Sequence, residues 1–232
     1  MKKTIVTAAL LCLSSFAWGE GTTREAAEAR LQHAGEVLHE VMGAPDNGIP
    51  DEVMHHAKCI AVVPHLLKGG FIFGAENGRG VATCRTADGA WSAPAFFTIT
   101  GGNWGLQIGV EGIDLVMVFQ GDKGMNRLVQ SKFEIGADAS VAAGPVGRHA
   151  SADTDWKMNA EILTYSRAKG IFAGITLNGA GVRRDDDSTE AFYGHQIPTR
   201  DILHGVVPPP PGSNAFLDAI RGAHAQAADA AR

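Results

Sequence analysis

Apolar positions recurring every three or four residues open the patterned part of the chain. Ala27, Leu31, Ala34, Leu38 and Val41 line one face of a helix predicted over Thr22 to Met42. Thr22 and Glu25 supply a T-x-x-E capping box at its start. After the turn residues APDNG, Pro50 opens a short helix whose Asp51 and Glu52 sit where the helix dipole favours negative charge. From Cys59 the pattern changes to short, β-branched runs. CIAVVP reads as a buried strand ending at Pro64. Phe71–Gly74 and Gly80–Arg85 read as strands around Asn77-Gly78, a hairpin signal. Ala95–Thr100 continues the strands.

The longest charge-poor run is Phe97 to Phe119, FTITGGNWGLQIGVEGIDLVMVF. Its Val, Ile, Phe and Trp alternate with glycine, which predicts strands that bend or meet another backbone closely. Asp122–Gly124 reads as a turn, and MNRLVQSKFEIG as a short helix and a strand. Asp138–Arg148 is extended until Gly144-Pro145 bends it. Ala160–Ser166 and Gly170–Leu177 read as a strand pair, followed by a strand end and an acidic loop at GAGVRRDDD. Thr199–His204 is a helical turn and Pro208–Pro211 a stiff spacer. Asn214–Ala231 is a helix with Phe216, Leu217, Ile220 and Ala223 as its apolar stripe. Helices outside and strands within predict an α+β fold. The expected form is a single domain with a strongly bent, Gly-rich antiparallel sheet or barrel and flanking N- and C-terminal helices.

Residues 1–19 alter the boundaries. Lys2 and Lys3, an apolar run from Thr4 to Phe16, and Ala17-Trp18-Gly19 together read as a cleaved signal peptide. The expected division is 1–19 signal, 20–206 the α+β domain, and 207–232 a Pro-rich spacer with the C-terminal helix. The expected place is periplasmic or secreted, with a peripheral position at the outer membrane as one option. Cleavage leaves 18 basic against 25 acidic residues, a net charge of −7. That balance argues against nucleic acid and against general attraction to an anionic membrane, so an anionic partner must meet a local patch. Two cysteines remain, Cys59 and Cys84. An even pair in an oxidising compartment suggests a disulfide, and two buried strand thiols are the other reading.

Candidate chemistry is sparse. The glycine block around Trp104 and the run AENGRG match neither nucleotide-binding fingerprint, and no helix-opening context follows. Ser166-Arg167-Ala168-Lys169 fits S-x-x-K, but the S-D-N and K-T-G partners of that chemistry are missing from the sequence. His55 and His56 are adjacent, an awkward spacing for one metal, and Asp185–Asp187 with Glu190 lack a calcium-loop spacing and read as a solvated turn. No catalytic residue, metal or cofactor is therefore expected. What remains is a set of basic residues beside bends: Lys68, Arg79, Arg148 and Lys169. They form an anion site only if those bends converge on one end of the sheet.

The runs AKCIAVVPHLLKGGFIFGAENGRGVATCR, GAWSAPAFFTITGGNWGLQIGVEGIDLVMVF, KFEIGADASVAAGPVGR, YSRAKGIFAGITLNG and AFYG resemble the SYLF domain, collinearly from about Ile49 to Leu203. The resemblance implies a non-enzymatic, lipid-binding module. Eukaryotic members bind phosphoinositides through a basic surface and an amphipathic N-terminal helix, and some bind actin. Exported bacterial members are described as lipid-binding. Lys68, Arg148, Arg167 and Lys169 fall on basic positions of the shared motifs, so these four and Arg79 form the expected lipid-binding set. Two departures matter. Cys59 stands where a glycine is usual, and the acidic N-terminal helix is expected to pack on the domain rather than enter a membrane. The expected partner is anionic phospholipid or a membrane surface, and actin is not expected for an exported bacterial chain. The alternative is a structural or protein-interaction component of the cell envelope.

Overall fold

Thr23 starts the first helix. Its hydroxyl accepts the N–H of Ala26 at 3.2 Å, and α1 runs from Arg24 to Gly43. The cap is thus one residue later than the T-x-x-E pattern suggested. The computed structural model describes residues 22–44, 48–70, 73–104, 109–146, 160–168, 171–174, 177 and 179–230. The signal segment, Arg148 and Lys169 lie outside these residues.

Among the described residues, nine strands follow α2 (Asp51–His55): β1 Ala57–Gly70, β2 Phe73–Cys84, β3 Ala95–Trp104, β4 Gly109–Gln120, β5 Lys132–Glu134, β6 Val141–Ala143, β7 Ile162–Ala168, β8 Ile171–Gly174 and β9 Gly181–Arg184. The helices between and after them are α3 (Gly121–Leu128), α4 (Asp186–Tyr193), α5 (Thr199–Leu203) and α6 (Asn214–Ala230). Eight strands form one path, β5-β9-β3-β2-β1-β4-β7-β6, and β8 pairs with β7. The order β3-β2-β1-β4 is a Greek key, so the glycine block supplies two strands separated by the β1–β2 hairpin. β6 and β7 run parallel. The sheet is therefore mixed rather than purely antiparallel.

Connectivity forces the sheet to curl. The two ends of the path, β5 and β6, are consecutive in the chain, with Glu134 and Val141 at the junction. Seven residue steps reach at most about 25 Å, whereas eight flat strands would hold their edges roughly 34 Å apart. The curl encloses one apolar layer, with Val63, Leu66, Phe97, Ile99, Leu115, Met117, Phe119 and Phe133 buried in it. On the outer face, Ile60, Val62, Val81, Phe96, Val116 and Val118 pack beneath Leu31, Leu38, Phe216 and Ile220 of α1 and α6. The two terminal helices meet closely: a Cβ on Gly35 would lie 2.7 Å from the Ala215 carbonyl oxygen. The architecture is a single α+β domain with flanking terminal helices.

Two local expectations change. Asn77-Gly78 is not a turn, since β2 runs straight through it. Gly78 is required for packing instead: a Cβ there would stand 2.6 Å from Val63 Cγ1 and 2.8 Å from Leu66 Cδ1. The acidic run after β9 is not a solvated turn either. Asp185 caps α4 by accepting the Ser188 N–H at 3.0 Å, and its carboxylate also meets Arg30 of α1 at 3.2 Å. Cys59 and Cys84 face each other across β1 and β2 and are joined as a disulfide.

Candidate functional site

Pro64 breaks the apolar run of β1 without ending the strand. A proline in a strand belongs at an edge or a bulge. Here β1 carries one more residue than β2 between the Val62–Val81 and Leu67–Asn77 pairs, and one more than β4 between Val63–Leu115 and Leu66–Ile113. His65 is the extra residue's mark. It is a non-glycine at φ 56°, in the left-handed region, and its side chain is 88% exposed. Asp114, opposite on β4, holds the bulge. Its Oδ1 accepts the His65 backbone N–H at 3.0 Å, and its Oδ2 accepts Arg167 Nε at 3.0 Å and Nη2 at 2.6 Å. Arg167 also pairs with Glu40, which ties α1 to the sheet.

The bulge divides the helix-facing side of the sheet. Before it, β1 and β2 present Ile60, Val62 and Val81 to the core under α1. Beyond it the lining turns polar. A cleft of about 450 Å³ opens there, lined by Arg30 and His33 of α1, Pro64, His65 and Leu67 of β1, and Asn77, Gly78 and Arg79 of β2. Leu67 is 52% exposed, an unusual state for a strand leucine in this protein. Arg30 is buried, with Asp185 at 3.2 Å, Ser188 Oγ at 3.3 Å and its guanidinium 5.5 Å from the Phe96 ring.

Register shows what converges. Gly70 pairs with Gly109, Phe73 with Trp104, and Asp114 with Arg167. The distal ends of β1, β2, β3 and β4 and the β7–β8 end therefore lie at one end of the sheet. Lys68 and Arg167 are both there. Each is engaged: Lys68 Nζ is 3.4 Å from Glu76 Oε2, and Arg167 is held by Asp114 and Glu40. Arg79 lies further along β2, opposite Thr98, and lines the cleft. Of the S-x-x-K tetrad, Ser166 is buried in β7 opposite Leu115 and Ala173. Sequence reading missed His33, His65 and Asp114. Pro64 inside an apolar run was the visible hint of the bulge, but nothing in the sequence links positions 65 and 114.

The family profile described as "Las17-binding protein actin regulator" (Ysc84) matches residues 100–223. The rat SH3 domain-containing YSC84-like protein 1 is 35% identical over 189 residues, 79% of this chain and 55% of the relative. The human protein of that name is 34% identical over the same length and shares. LAS seventeen-binding protein 3 of Saccharomyces cerevisiae is 34% identical over 176 residues, 75% of this chain and 38% of the relative. The chain belongs to the Ysc84/SYLF family. Its match spans about half the length of the mammalian relatives and less of the yeast ones. The family is named for binding rather than for a reaction. The expectation that set actin aside is overturned, because the matched family is described as an actin regulator and a yeast relative is named for binding Las17.

Proposed function

We propose that this chain is a non-enzymatic binding module that meets anionic phospholipid with the hairpin end of its sheet, after export directed by residues 1–19. The observation that carries the reading is the convergence of strand ends at one pole, with Lys68 and Arg167 on it and the Arg79-lined cleft beside it. In sequence, Arg148 and Lys169 belong to the segments that follow β6 and β7. A basic residue near an anionic bilayer contributes about 1 kcal/mol. Lys68 and Arg167 contribute less, since Glu76, Asp114 and Glu40 offset their charge. The set then favours anionic over zwitterionic vesicles by roughly a hundredfold. Titrating residues 20–232 against both vesicle types tests this, and equal, negligible binding to the two would sink it.

A second reading is a protein-interaction module, favoured by the names of the relatives. Under it the partner is a protein of the actin-regulating or envelope type. Recovery of one stoichiometric protein partner, with no lipid bound, supports that reading over the first.

A further inference from the structure

We propose that the histidine cluster where α6 packs on α2 is an acid-operated latch, in which protonation of His224 releases the last turns of α6 from the domain. Such a latch acts whatever ligand the end of the sheet takes. The two terminal helices are held differently. Ion pairs fix α1, Arg30 with Asp185 and Glu40 with Arg167. The ion pair that α6 makes among the described residues, Arg221 with Asp218, closes on α6 itself. What holds α6 is its buried stripe, Leu217, Ile220, Ala223 and Ala227, and an aromatic contact at His224. That ring lies 5.9 Å from the His55 ring, tilted from it by only 14°, and 6.0 Å from Trp91. His56 meets His55 edge-on at 4.9 Å.

The geometry suits the neutral ring alone. His224 Nε2 is buried and has no hydrogen-bond partner. A neutral imidazole can leave that nitrogen without a proton, whereas an imidazolium carries a proton on both. Acid therefore creates a buried donor with nothing to accept it. The surroundings add to that cost. Burial first, then Arg85 and then His55 hold His224 below the ordinary histidine value of 6.5, and a hydrogen bond with the His55 backbone opposes them. Arg85 is fixed in place, donating from Nη1 to the His55 carbonyl oxygen at 3.3 Å. No carboxylate among the described residues offsets these bases. The other elements packed on α6, α1 and the Pro211–Ser213 turn, bring no charge to the ring. The latch thus holds above pH 6.5 and weakens as pH falls from 6.5 toward the depressed value of the closed form. Opening stays local, because a terminal helix end can leave without breaking the sheet. It uncovers Val53 and Met54 of α2, which share the buried layer of the α6 stripe.

The test is amide hydrogen exchange of residues 20–232, read by NMR between pH 7.5 and 5.5 and corrected for the intrinsic pH dependence of exchange. Protection of the amides from Ala223 to Ala228 is expected to fall by about three- to tenfold over that range, since each opening takes up one proton. Leu31, Ala34 and Leu38 of α1 should keep theirs. His224→Gln, which cannot titrate, should remove the pH dependence in α6, and His195→Gln, an exposed histidine elsewhere, should leave it as in the parent. The parent also carries a test that needs no variant: its His224 ring signal should report a mostly neutral ring at pH 6.5. Unchanged protection in α6, an equal loss in α1 and α6, or a ring half-protonated or more at pH 6.5 overturns the proposal. So does a folded His224→Gln variant that keeps the parent's pH dependence.

Discussion

Removing the Asp114 carboxylate is predicted to loosen the bulge on which the cleft depends. Asp114 is buried and accepts three hydrogen bonds, from the His65 backbone and from two Arg167 nitrogens. Asp114→Ala leaves the His65 N–H without its carboxylate and strips Arg167 of one of its two anionic partners. Losing one member of a buried pair costs roughly 3–5 kcal/mol. That range is too high here, because the Arg167 side chain is 24% exposed and retains Glu40. A loss of about 2.5 kcal/mol is the reasoned value. With a urea slope near 2 kcal/mol per molar for a chain of this size, the unfolding midpoint drops by about 1 M. The assay is urea unfolding followed by circular dichroism at pH 7, for parent, Asp114→Ala, Arg167→Met and the double variant. The two single losses should exceed the double loss by at least about 1 kcal/mol when summed, since the two groups share one interaction. Additive effects, or a midpoint shift below about 0.2 M for Asp114→Ala, refute the role given to this residue.

Three further outcomes follow from packing and charge. Gly78→Val should destabilise by about 1–3 kcal/mol, because its Cβ meets Val63 and Leu66, whereas Gly112→Ala, with open space around it, should be close to neutral in a thermal melt. The Cys59→Ala/Cys84→Ala pair should lose about 3.5 kcal/mol on the chain-entropy estimate for a separation of 25 residues, read as a lower denaturation midpoint. His224 of α6 is held below the ordinary histidine range by burial first, then by Arg85 and His55, whose ring stacks on it at 5.9 Å. Its neutral form is therefore the one the fold favours. That contribution is present above the ordinary value of 6.5 and is lost as pH falls through the depressed folded value, so His224→Phe should flatten the acid side of the stability curve.

The helices were legible because their pattern is local. The 3.6-residue stripe of α1 and the Phe216, Leu217, Ile220 set of α6 both bury the residues that the period selects. Strand content and bending were legible too, through β-branched runs and the concentration of glycine. Pairing order was not. Glycine carries two meanings, turn and close approach, and at Gly78 the second prevails because Val63 and Leu66 fill the space of its missing side chain. The polar bulge was hidden for a different reason. His65 and Asp114 are 49 residues apart, and only the β1–β4 register brings them together. Lys68 was visible as a basic residue beside a bend and Arg167 as a basic position of the shared motifs, but their carboxylate partners Glu76, Asp114 and Glu40 were not, since no spacing rule joins them. The actin expectation was drawn from an expected cellular place and from no residue, and the description of the matched family is what overturns it.

The central claim is that the hairpin end of the sheet binds anionic lipid. Its most direct measurement is the partition of residues 20–232 onto anionic vesicles, compared with an Arg79→Gln/Arg148→Gln/Lys169→Gln variant and repeated on zwitterionic vesicles. At about 1 kcal/mol per removed cation, the account predicts that the variant loses most of a roughly hundredfold anionic preference while keeping its melting temperature. Undiminished anionic binding by the folded variant, or no preference in the parent, would contradict it.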